Sequence, residues 1–418
     1  MLGVALAGPV SATGGPEDVG AMAPDSLQVV LVTAGPGPAV WERFGHNALW
    51  IRDETGGIST AYHYGVFDLG SEGFILEFIR GRMFYSMGSA EANRFIRGYR
   101  RAGRAVTLQR LRLTQEQSRR LMAFLEWNLR PENRVYRYDY FRDNCSTRIR
   151  DALDAVLGGR LRAALSADST AVTYREEAVA LTTEDPLLAT AIDLGLGPLA
   201  DRRLTGWELA FIPMRLRDAV RDIVVRRNGV EVPLVASERY LPASDRAPAE
   251  RPGGRSTRTR TFLLLLLGLL TGGAFTLAGS VAGRSAGFRG TGRAGRWVLA
   301  VGGTVWGLVS GVSGLLLLGL WVLTDHEFAW RNENLLQMNP LALALVVLVP
   351  LTMIGGRGRS VALALAGLLA GLSAVGLLLN PLTPQVNLAI IAFALPLNLG
   401  LFIGLREVGR PTVERAEP

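Results

Sequence analysis

Strand-type patterns mark several short segments in the first part of the chain. Residues 27–34 form a Val-rich apolar run typical of a buried strand, and residues 104–113 alternate between apolar and polar side chains. Two further segments, 46–51 and 60–67, are separated by the turn-forming sequence DETGG. That arrangement predicts a β-hairpin.

Helical patterns lie between these segments. Apolar residues at positions 74, 75, 78 and 79 predict a helix over 72–80. A second helix is predicted to open at Thr114, where Gln117 completes a capping-box pattern. A third is predicted to begin near Asn144, since apolar residues recur at 149, 153, 156 and 157. Helices and strands do not alternate regularly, so the fold predicted is α+β rather than a doubly wound sheet.

The second part of the chain is dominated by long apolar runs. About 20 consecutive apolar residues cross a bilayer as a helix. Hydrophobic residues make up 49% of the chain, which excludes both extensive disorder and a purely soluble protein. We predict an all-α transmembrane domain of five helices, over roughly 261–282, 297–323, 340–355, 360–379 and 386–405.

Shifts in composition divide the chain into predicted domains. The start resembles a signal-peptide remnant without its basic region, and Gly/Pro-rich or Pro/Arg-rich stretches read as linkers. The predicted divisions are a signal remnant and linker (1–25), a thiol domain (26–160), a second lobe of the outer domain (161–245), a linker (246–260), the transmembrane bundle (261–405) and a cytoplasmic tail (406–418).

The net charge of +8 is carried by arginine alone, since the chain has no lysine. Arginines cluster after the first and third apolar runs and in the tail, so a membrane protein with basic cytoplasmic flanks fits better than a nucleic-acid-binding protein. The positive-inside rule places the outer domain, with loops 324–339 and 380–385, on the periplasmic side of the inner membrane. Four arginines between 251 and 260 run against this rule.

Cys145 is the single cysteine, which excludes an intramolecular disulfide. With three histidines and no CxxC pair, neither a metal site nor a cofactor is predicted. Asp143 or Asn144 can cap the following helix, so the thiol is expected in its first turn. There the positive helix end and a nearby imidazole would stabilise a thiolate. A thiolate is the nucleophile of acyl transfer, and it needs a base to accept its proton.

His46, at the start of a predicted strand, is the best candidate base. A strand that presents a histidine to a helix N-terminus is the arrangement of papain-like enzymes, although here the histidine precedes the cysteine. His63 on the partner strand could orient His46 or be an ordinary hairpin residue. His326 lies in an interhelical loop with Asn332 and Asn334, and it could bind substrate at the membrane surface or be a plain loop residue.

Two motifs resemble a known family. The first is Trp41-x-x-Phe44-Gly45-His46-Asn47, followed by Tyr64-Gly65-x-Phe67, and the second is YDYFRDNCSTR at 138–148. They resemble the DUF4105 family, the periplasmic N-terminal domain of Lnb-type lipoprotein N-acyltransferases. The loop with His326, Asn332 and Asn334 resembles the matching motif of the Lnb-like membrane domain. The resemblance spans about residues 27–405.

The resemblance implies a permuted papain-like fold, similar to NlpC/P60 and lecithin:retinol acyltransferase enzymes. It implies Cys145 as nucleophile and His46 as base, and it leaves a third residue open. Our first hypothesis is a membrane-bound thiol acyltransferase that moves an acyl chain from a phospholipid through a Cys145 thioester to the N-terminus of a lipoprotein. The alternatives are a membrane-anchored cysteine peptidase or amidase of the envelope and a non-catalytic envelope binding protein.

A phospholipid acyl donor restricts where the active site can open. Each CH₂ lifted from the bilayer into water costs about 0.8 kcal/mol, so a lipid-using site has to open close to the membrane. We therefore expect the Cys145 pocket to face the apolar helices, with His326, Asn332 and Asn334 near it. A peptidase is expected to face the bulk periplasm.

Overall fold

The computed structural model describes residues 27–53, 57–68, 70–167, 169–227, 229–243, 257–284 and 289–408. The predicted signal remnant and most of the predicted linker and tail lie outside these ranges. The described chain divides into two compact units. The sheet unit comprises the described residues up to Glu72, Met83–Thr170 and those from Leu204 to position 243, and the helical unit comprises Gly73–Arg82, Ala171–Arg203 and the described residues from position 257 onward.

The secondary structure matches the local patterns of the sequence. The strands are β1 (Gln28–Ala34), β2 (His46–Asp53), β3 (Ile58–Val66), β4 (Phe84–Glu91), β5 (Val106–Leu111), β6 (Val135–Arg137), β7 (Ser169–Thr173), β8 (Arg203–Thr205), β9 (Val224–Arg227), β10 (Val230–Pro233) and β11 (Val235–Leu241). The helices are α1 (Phe74–Arg80), α2 (Ala92–Arg101), α3 (Gln115–Leu129), α4 (Cys145–Val156), α5 (Arg160–Ala167), α6 (Tyr174–Ala180), α7 (Pro186–Gly195), α8 (Gly206–Leu209), α9 (Pro213–Asp222), α10 (Thr257–Arg284), α11 (Arg289–Leu323), α12 (Leu345–Gly355), α13 (Arg359–Leu379) and α14 (Leu388–Glu407).

A seven-stranded sheet forms the centre of the sheet unit, with the strand order β11-β5-β1-β2-β3-β4-β6. All of its pairings are antiparallel. The predicted β2–β3 hairpin is confirmed, and its register sets Ala48 opposite His63. Every residue of β1 is buried, as its Val-rich sequence predicted.

Helices cover both faces of this sheet. On one face, Ile96 of α2 packs in a core cluster with Ala48 and Trp50 of β2. On the other face, the Asn47 side chain donates to Ser146 Oγ of α4 over 3.1 Å. Since successive side chains of a strand point to opposite faces, α2 and α4 lie on opposite sides of β2. The sheet therefore has a buried core on each face.

The segment 161–245 does not form one lobe but is shared between the two units. Residues 171–203 belong to the helical unit, whereas β11 pairs with β5 and completes the edge of the main sheet. The strands on either side of Gly229 pair as the β9–β10 hairpin. Because β11 and β5 are far apart in the chain, no local sequence pattern predicts that they pair. The sequence therefore predicted a separate lobe for this segment.

The helical unit contains the predicted apolar runs. Four helices are long and apolar enough to cross a membrane, and they correspond to α10, α11, α13 and α14. The third apolar run instead forms the shorter α12 after 3-10 turns, bent by 55° against the preceding segment. Counting that bent pair as one span gives five, so four or five candidate spans lie within the described residues.

The helices α10 and α14 cross at very short distance because both carry glycine at the crossing. A methyl group on Gly272 would overlap the Pro396 carbonyl group, and one on Gly400 would overlap the Gly272 backbone. Gly279 and Gly404 meet in the same way. Small residues of this kind let the backbones of membrane helices pack directly against each other.

The two loops predicted to face the periplasm lie together at one end of the helical unit. Gln385 Nε2 donates to Asn332 Oδ1 over 2.9 Å, and the Glu333 amide donates to Gln385 Oε1 over 2.9 Å. Arg260, one of the arginines that run against the positive-inside rule, forms a buried ion pair with Asp193. Its charge is therefore neutralised within the protein.

Candidate active site

The YDYFRDNCSTR motif forms the capped start of α4. Asn144 is the N-cap residue, and its Oδ1 accepts from the amides of Ser146 and Thr147 over 2.8 and 3.0 Å. Its Nδ2 donates to the carbonyls of Tyr140 and Phe211. Asn144 therefore fixes the helix start, and Cys145 becomes the first residue of the helix.

Charged residues on either side of Cys145 hold the same segment. Arg148 donates two hydrogen bonds to Asp143, over 2.6 and 2.8 Å. The Arg148 guanidinium also lies 3.7 Å from the centre of the Tyr136 ring, a cation–π contact. The acidic and basic residues of the motif thus hold the helix start in place.

The Cys145 sulfur is buried and surrounded by amide groups. The backbone N–H groups of Asn47 and Ser146 are oriented toward the sulfur, and both lower its pKa. A methyl group on Gly65 would lie 3.8 Å from Cys145 Cβ and 3.8 Å from the Tyr138 ring. Gly65 also has a φ of +86°, which favours glycine. The Tyr-Gly motif of β3 therefore shapes the wall next to the thiol.

Burial decides the protonation state of this thiol. Desolvation raises the pKa of Cys145 to about 11, although the amides and the Arg104 cation act in the opposite direction. The sequence had indicated a stabilised thiolate at the helix N-terminus. In the structure the loss of water outweighs the helix end, so the thiol is neutral at pH 7.

Gly45 and the side chain of Asn47 fix the position of His46, the first residue of β2. Gly45 has a φ of +82°, and a methyl group there would lie 2.9 Å from the Ala34 carbonyl oxygen. Asn47 accepts from Thr33 Oγ1 over 2.9 Å and donates to Ser146. The Gly-His-Asn sequence of the first motif thereby joins β1, β2 and α4 at the end of the sheet.

His46 is paired with His63 of the neighbouring strand. His46 Nε2 and His63 Nδ1 lie 3.2 Å apart in a hydrogen bond. Phe95 and Tyr99 of α2 contact the two rings, and Tyr99 is stacked on His46 with 5.9 Å between ring centres. Burial lowers the pKa of His63 to about 4 and, with the neighbouring His63 and Arg104, holds that of His46 well below its usual value. Both imidazoles are therefore neutral at pH 7.

The buried side chain of Arg104 acts on both His46 and Cys145. Arg104 donates to the Gly35 carbonyl over 2.7 Å and to Glu42 over 3.3 Å. Its guanidinium lies 4.6 Å from the centre of the Tyr99 ring. The positive charge of Arg104 lowers the pKa of both Cys145 and His46. Arg104 thus supports the Tyr99 ring and contributes a positive field to the site.

The backbone at His46 and Asn47 lies beside the Cys145 sulfur at the end of β2, whereas the His46 ring lies on the α2 face of the sheet, against Phe95 and Tyr99. The amide nitrogen that faces the sulfur belongs to Asn47 and is bonded to the His46 carbonyl carbon. Tyr99 is stacked on His46 and interacts electrostatically with Cys145. The charge of Arg104 lowers the pKa of both His46 and Cys145. The hydrogen bond that the His46 ring makes in the described residues is to His63.

The other predicted site residues lie in the helical unit. A ring nitrogen of His326 lies 3.0 Å from the Phe78 carbonyl oxygen. The side-chain amides of Asn332 and Asn334 both donate to the Leu194 carbonyl, over 2.8 and 3.0 Å, and both side chains are buried. These amides therefore connect the 324–339 loop to α7, and their role in binding substrate stays a prediction.

Sequence reasoning missed Tyr99, Arg104 and Glu42. They lie in or beside α2 and in the short 3-10 helix Val40–Glu42, where no motif marks them. A weak signal was present, since Tyr99 and Arg104 come shortly before the start of β5. Only the folded structure shows that Tyr99 stacks on His46, that the Arg104 charge acts on His46, and that Glu42 is paired with Arg104.

Comparison with known proteins addresses the first part of the chain. Searches of curated proteins and of solved structures give no significant match. Residues 19–178 match the family model of the Lnb N-terminal periplasmic domain, the domain that the motifs around His46 and Cys145 resemble.

Proposed function

We propose that the protein is a membrane-bound thiol acyltransferase, which moves an acyl chain from a phospholipid through a Cys145 thioester to the N-terminal amine of a lipoprotein. The observation that carries the proposal is the start of α4. There the sulfur faces the backbone amides of Asn47 and Ser146, and the neighbouring residue of Asn47 in β2 is His46, which is paired with His63. The match to an Lnb domain and the helices long enough to cross a membrane, in the same chain, support a lipid as the substrate.

The first half-reaction transfers the acyl group to sulfur. His46 accepts the Cys145 thiol proton while the sulfur attacks the ester carbonyl carbon of the phospholipid. The tetrahedral intermediate then collapses, and the carbon–oxygen bond of the ester breaks. His46 returns its proton to the leaving lysophospholipid oxygen.

The second half-reaction releases the acyl group to the acceptor. The α-amino group of a diacylglyceryl-cysteine lipoprotein attacks the thioester carbonyl carbon. His46 removes a proton from the attacking amine and delivers it to the departing sulfur. The products are an amide on the lipoprotein and the free Cys145 thiol, so the enzyme returns to its starting state.

A neutral Cys–His pair suits this sequence of steps. Because the pKa of Cys145 is raised and that of His46 lowered, proton transfer between them is uphill in the free protein. The thiolate is therefore formed only as it attacks the ester, in concert with proton transfer. A thiol that stays protonated is also less prone to oxidation between turnovers.

The backbone amides at the sulfur provide the oxyanion site in this proposal. The first-turn amides of a helix lack intrahelical acceptors, and the Cys145 amide is the first of α4. With the Asn47 amide it can donate to the oxygen that becomes negative in the tetrahedral intermediate. Loss of one such donor typically costs 10²–10³ in rate.

The finer assignments of fold and location follow the same proposal. We assign the sheet unit a permuted papain-like fold, with α4 as the helix that carries the nucleophile and β2 as the strand that carries the base. The helical unit is assigned to the inner membrane as a multi-pass bundle, with the sheet unit in the periplasm. The Arg-rich loops then lie in the cytoplasm.

The test is acyl transfer by the full chain in lipid nanodiscs. The donor is a phospholipid with one isotope-labelled acyl chain, and the acceptor is a synthetic diacylglyceryl-cysteine peptide. Mass spectrometry is expected to find the labelled acyl group on the peptide amine and, in single turnover, a hydroxylamine-sensitive adduct on Cys145. Cys145→Ala is expected to abolish both with an unchanged unfolding temperature. Transfer that persists in this variant would show that Cys145 is not the nucleophile.

A second candidate is a membrane-anchored amidase or peptidase. It is favoured by one observation: the described groups around the thiol, from Glu42 to Asn144, all lie in the sheet unit. The sheet unit alone could then bind and cleave a soluble substrate. Cys145-dependent hydrolysis of envelope peptides, with no labelled acyl group on the lipopeptide, would support this candidate against acyl transfer.

A further inference from the structure

The helix α1 presents an unusual amount of exposed apolar surface. Ile75, Leu76, Phe78 and Ile79 are exposed by 65, 51, 40 and 56%. At 100° per residue these four side chains fall within an arc of about 160°, and Glu77 lies opposite its centre. Glu77 is also paired with Arg80. The short helix is therefore amphipathic, and its apolar face points away from the protein.

The C-terminal end of α1 is attached at the end of a candidate membrane span. The Asp325 amide donates to the Arg80 carbonyl over 2.8 Å, and His326 contacts the Phe78 carbonyl. Arg82 forms an ion pair with Asp325 over 3.1 Å. Asp325 follows closely after Leu323, the last residue of α11. The attachment thus lies at the level where the apolar span ends.

The last turn of α11 is itself exposed and apolar. Trp321, Val322 and Leu323 are all exposed side chains. Tryptophan at the end of a span is typical of the boundary between lipid and water. The apolar face of α1 therefore continues, within the helical unit, a surface whose composition already fits lipid.

We propose that α1 is an interfacial helix that inserts its apolar face into the outer leaflet of the membrane. An amphipathic helix with a wide apolar face lies in the plane of the interface. The chain runs from β3 directly into α1 and from α1 into β4. In the chain, α1 thus stands between β4 and the strand that carries His63. This inference does not depend on the reaction proposed above.

The single cysteine makes a site-specific test straightforward. In a Cys145→Ala background, cysteine is introduced at Leu76 or Ile79 and labelled with a nitroxide, and the full chain is placed in phospholipid nanodiscs. Collision with oxygen and with a water-soluble nickel chelate is measured by electron paramagnetic resonance. The control is Val230→Cys in the β9–β10 hairpin, whose side chain is exposed by 61%.

Insertion predicts that labels at 76 and 79 collide mainly with oxygen, whereas the label at 230 collides mainly with the nickel chelate. A label at 76 or 79 that meets the chelate as freely as the control would overturn the proposal. So would labels shielded from both reagents, because that result indicates a protein partner on this face. Two label positions keep the test decisive if one variant does not fold.

Discussion

His46 Nε2 is hydrogen-bonded to His63 Nδ1 over 3.2 Å, and the tautomer of this pair sets which nitrogen of His46 would act as the proposed base. A base needs an unprotonated nitrogen. If His46 Nε2–H donates to His63 Nδ1, the His46 Nδ1 atom is left free to accept the thiol proton. Because burial keeps the pKa of His63 at about 4, His63 is neutral at pH 7 and able to accept that hydrogen bond.

Removal of the His63 acceptor is expected to slow acyl transfer without removing the nucleophile. We predict that His63→Leu lowers kcat about 10- to 100-fold, the loss typical when the hydrogen-bond partner that orients a metal-bound histidine is removed. His63→Asn keeps an acceptor oxygen and is expected to recover part of the loss. The measurement is single-turnover acyl transfer in nanodiscs. Equal activity of the Leu and Asn variants would exclude a role for the hydrogen bond.

Acid conditions are expected to destabilise the sheet unit through the same residue. The pKa of His63 is about 4 in the folded protein against an ordinary value of 6.5. A lowered pKa means that the unfolded chain binds the proton first, so stability is lost as pH falls from 6.5 to 4. The shift corresponds to about 3 kcal/mol.

The check is the unfolding temperature between pH 7 and pH 4. Wild type is expected to lose stability steeply in that window, and His63→Asn, which does not titrate there, is expected to lose less. His46 contributes in the same direction, since its pKa is also lowered. Parallel curves for the two proteins would contradict the assignment to His63.

Alkylation of the single thiol reports the protonation state of the site. With a pKa of about 11, Cys145 has about 100-fold less thiolate at pH 8 than a thiol with an ordinary pKa near 9. Iodoacetamide is therefore expected to react slowly with the folded protein, and the rate should keep rising up to pH 10. The same protein in denaturant provides the control rate. Fast alkylation of folded protein at pH 6 would instead indicate a preformed thiolate–imidazolium pair.

Gly45 offers a test of how tightly His46 is held. Gly45→Ala is expected to reduce activity strongly, because an alanine at a φ of +82° is strained and its methyl group would press on the Ala34 carbonyl. Gly229→Ala is the matched control. Gly229 has the same φ of +82°, but nothing lies within 4 Å of the added methyl group. Similar losses in both variants would show that backbone strain alone is responsible.

Local signals in the sequence predicted the elements that carry the candidate site. The capping box at Thr114 and the β2–β3 hairpin depend on residues a few positions apart, and both are present. The N-cap before Cys145 was narrowed to Asp143 or Asn144, and the structure selects Asn144. Patterns of this kind are visible in sequence because the interactions that cause them are local.

Features that depend on residues far apart in the chain could not be predicted from the sequence. The sequence indicated a thiolate from the helix N-terminus, but the burial that reverses the pKa shift of Cys145 comes from the surrounding fold. Arg104 reaches Tyr99 and Glu42 through packing that no short motif encodes. The strand β11 joins β5 across more than 120 positions in the chain. Each of these requires the tertiary structure.

The helices α10 and α14 pack against each other at their glycines, and this affects when the bundle can assemble during synthesis. These two helices are separated by more than 100 residues, since α10 ends at Arg284 and α14 begins at Leu388. At about 5–20 residues per second, α14 emerges roughly 5–20 s after α10 is complete. During that interval the Gly272 face of α10 has no matching helix to pack against. The helix α10 therefore waits for α14, and this crossing can form only after the helices between them have been synthesised.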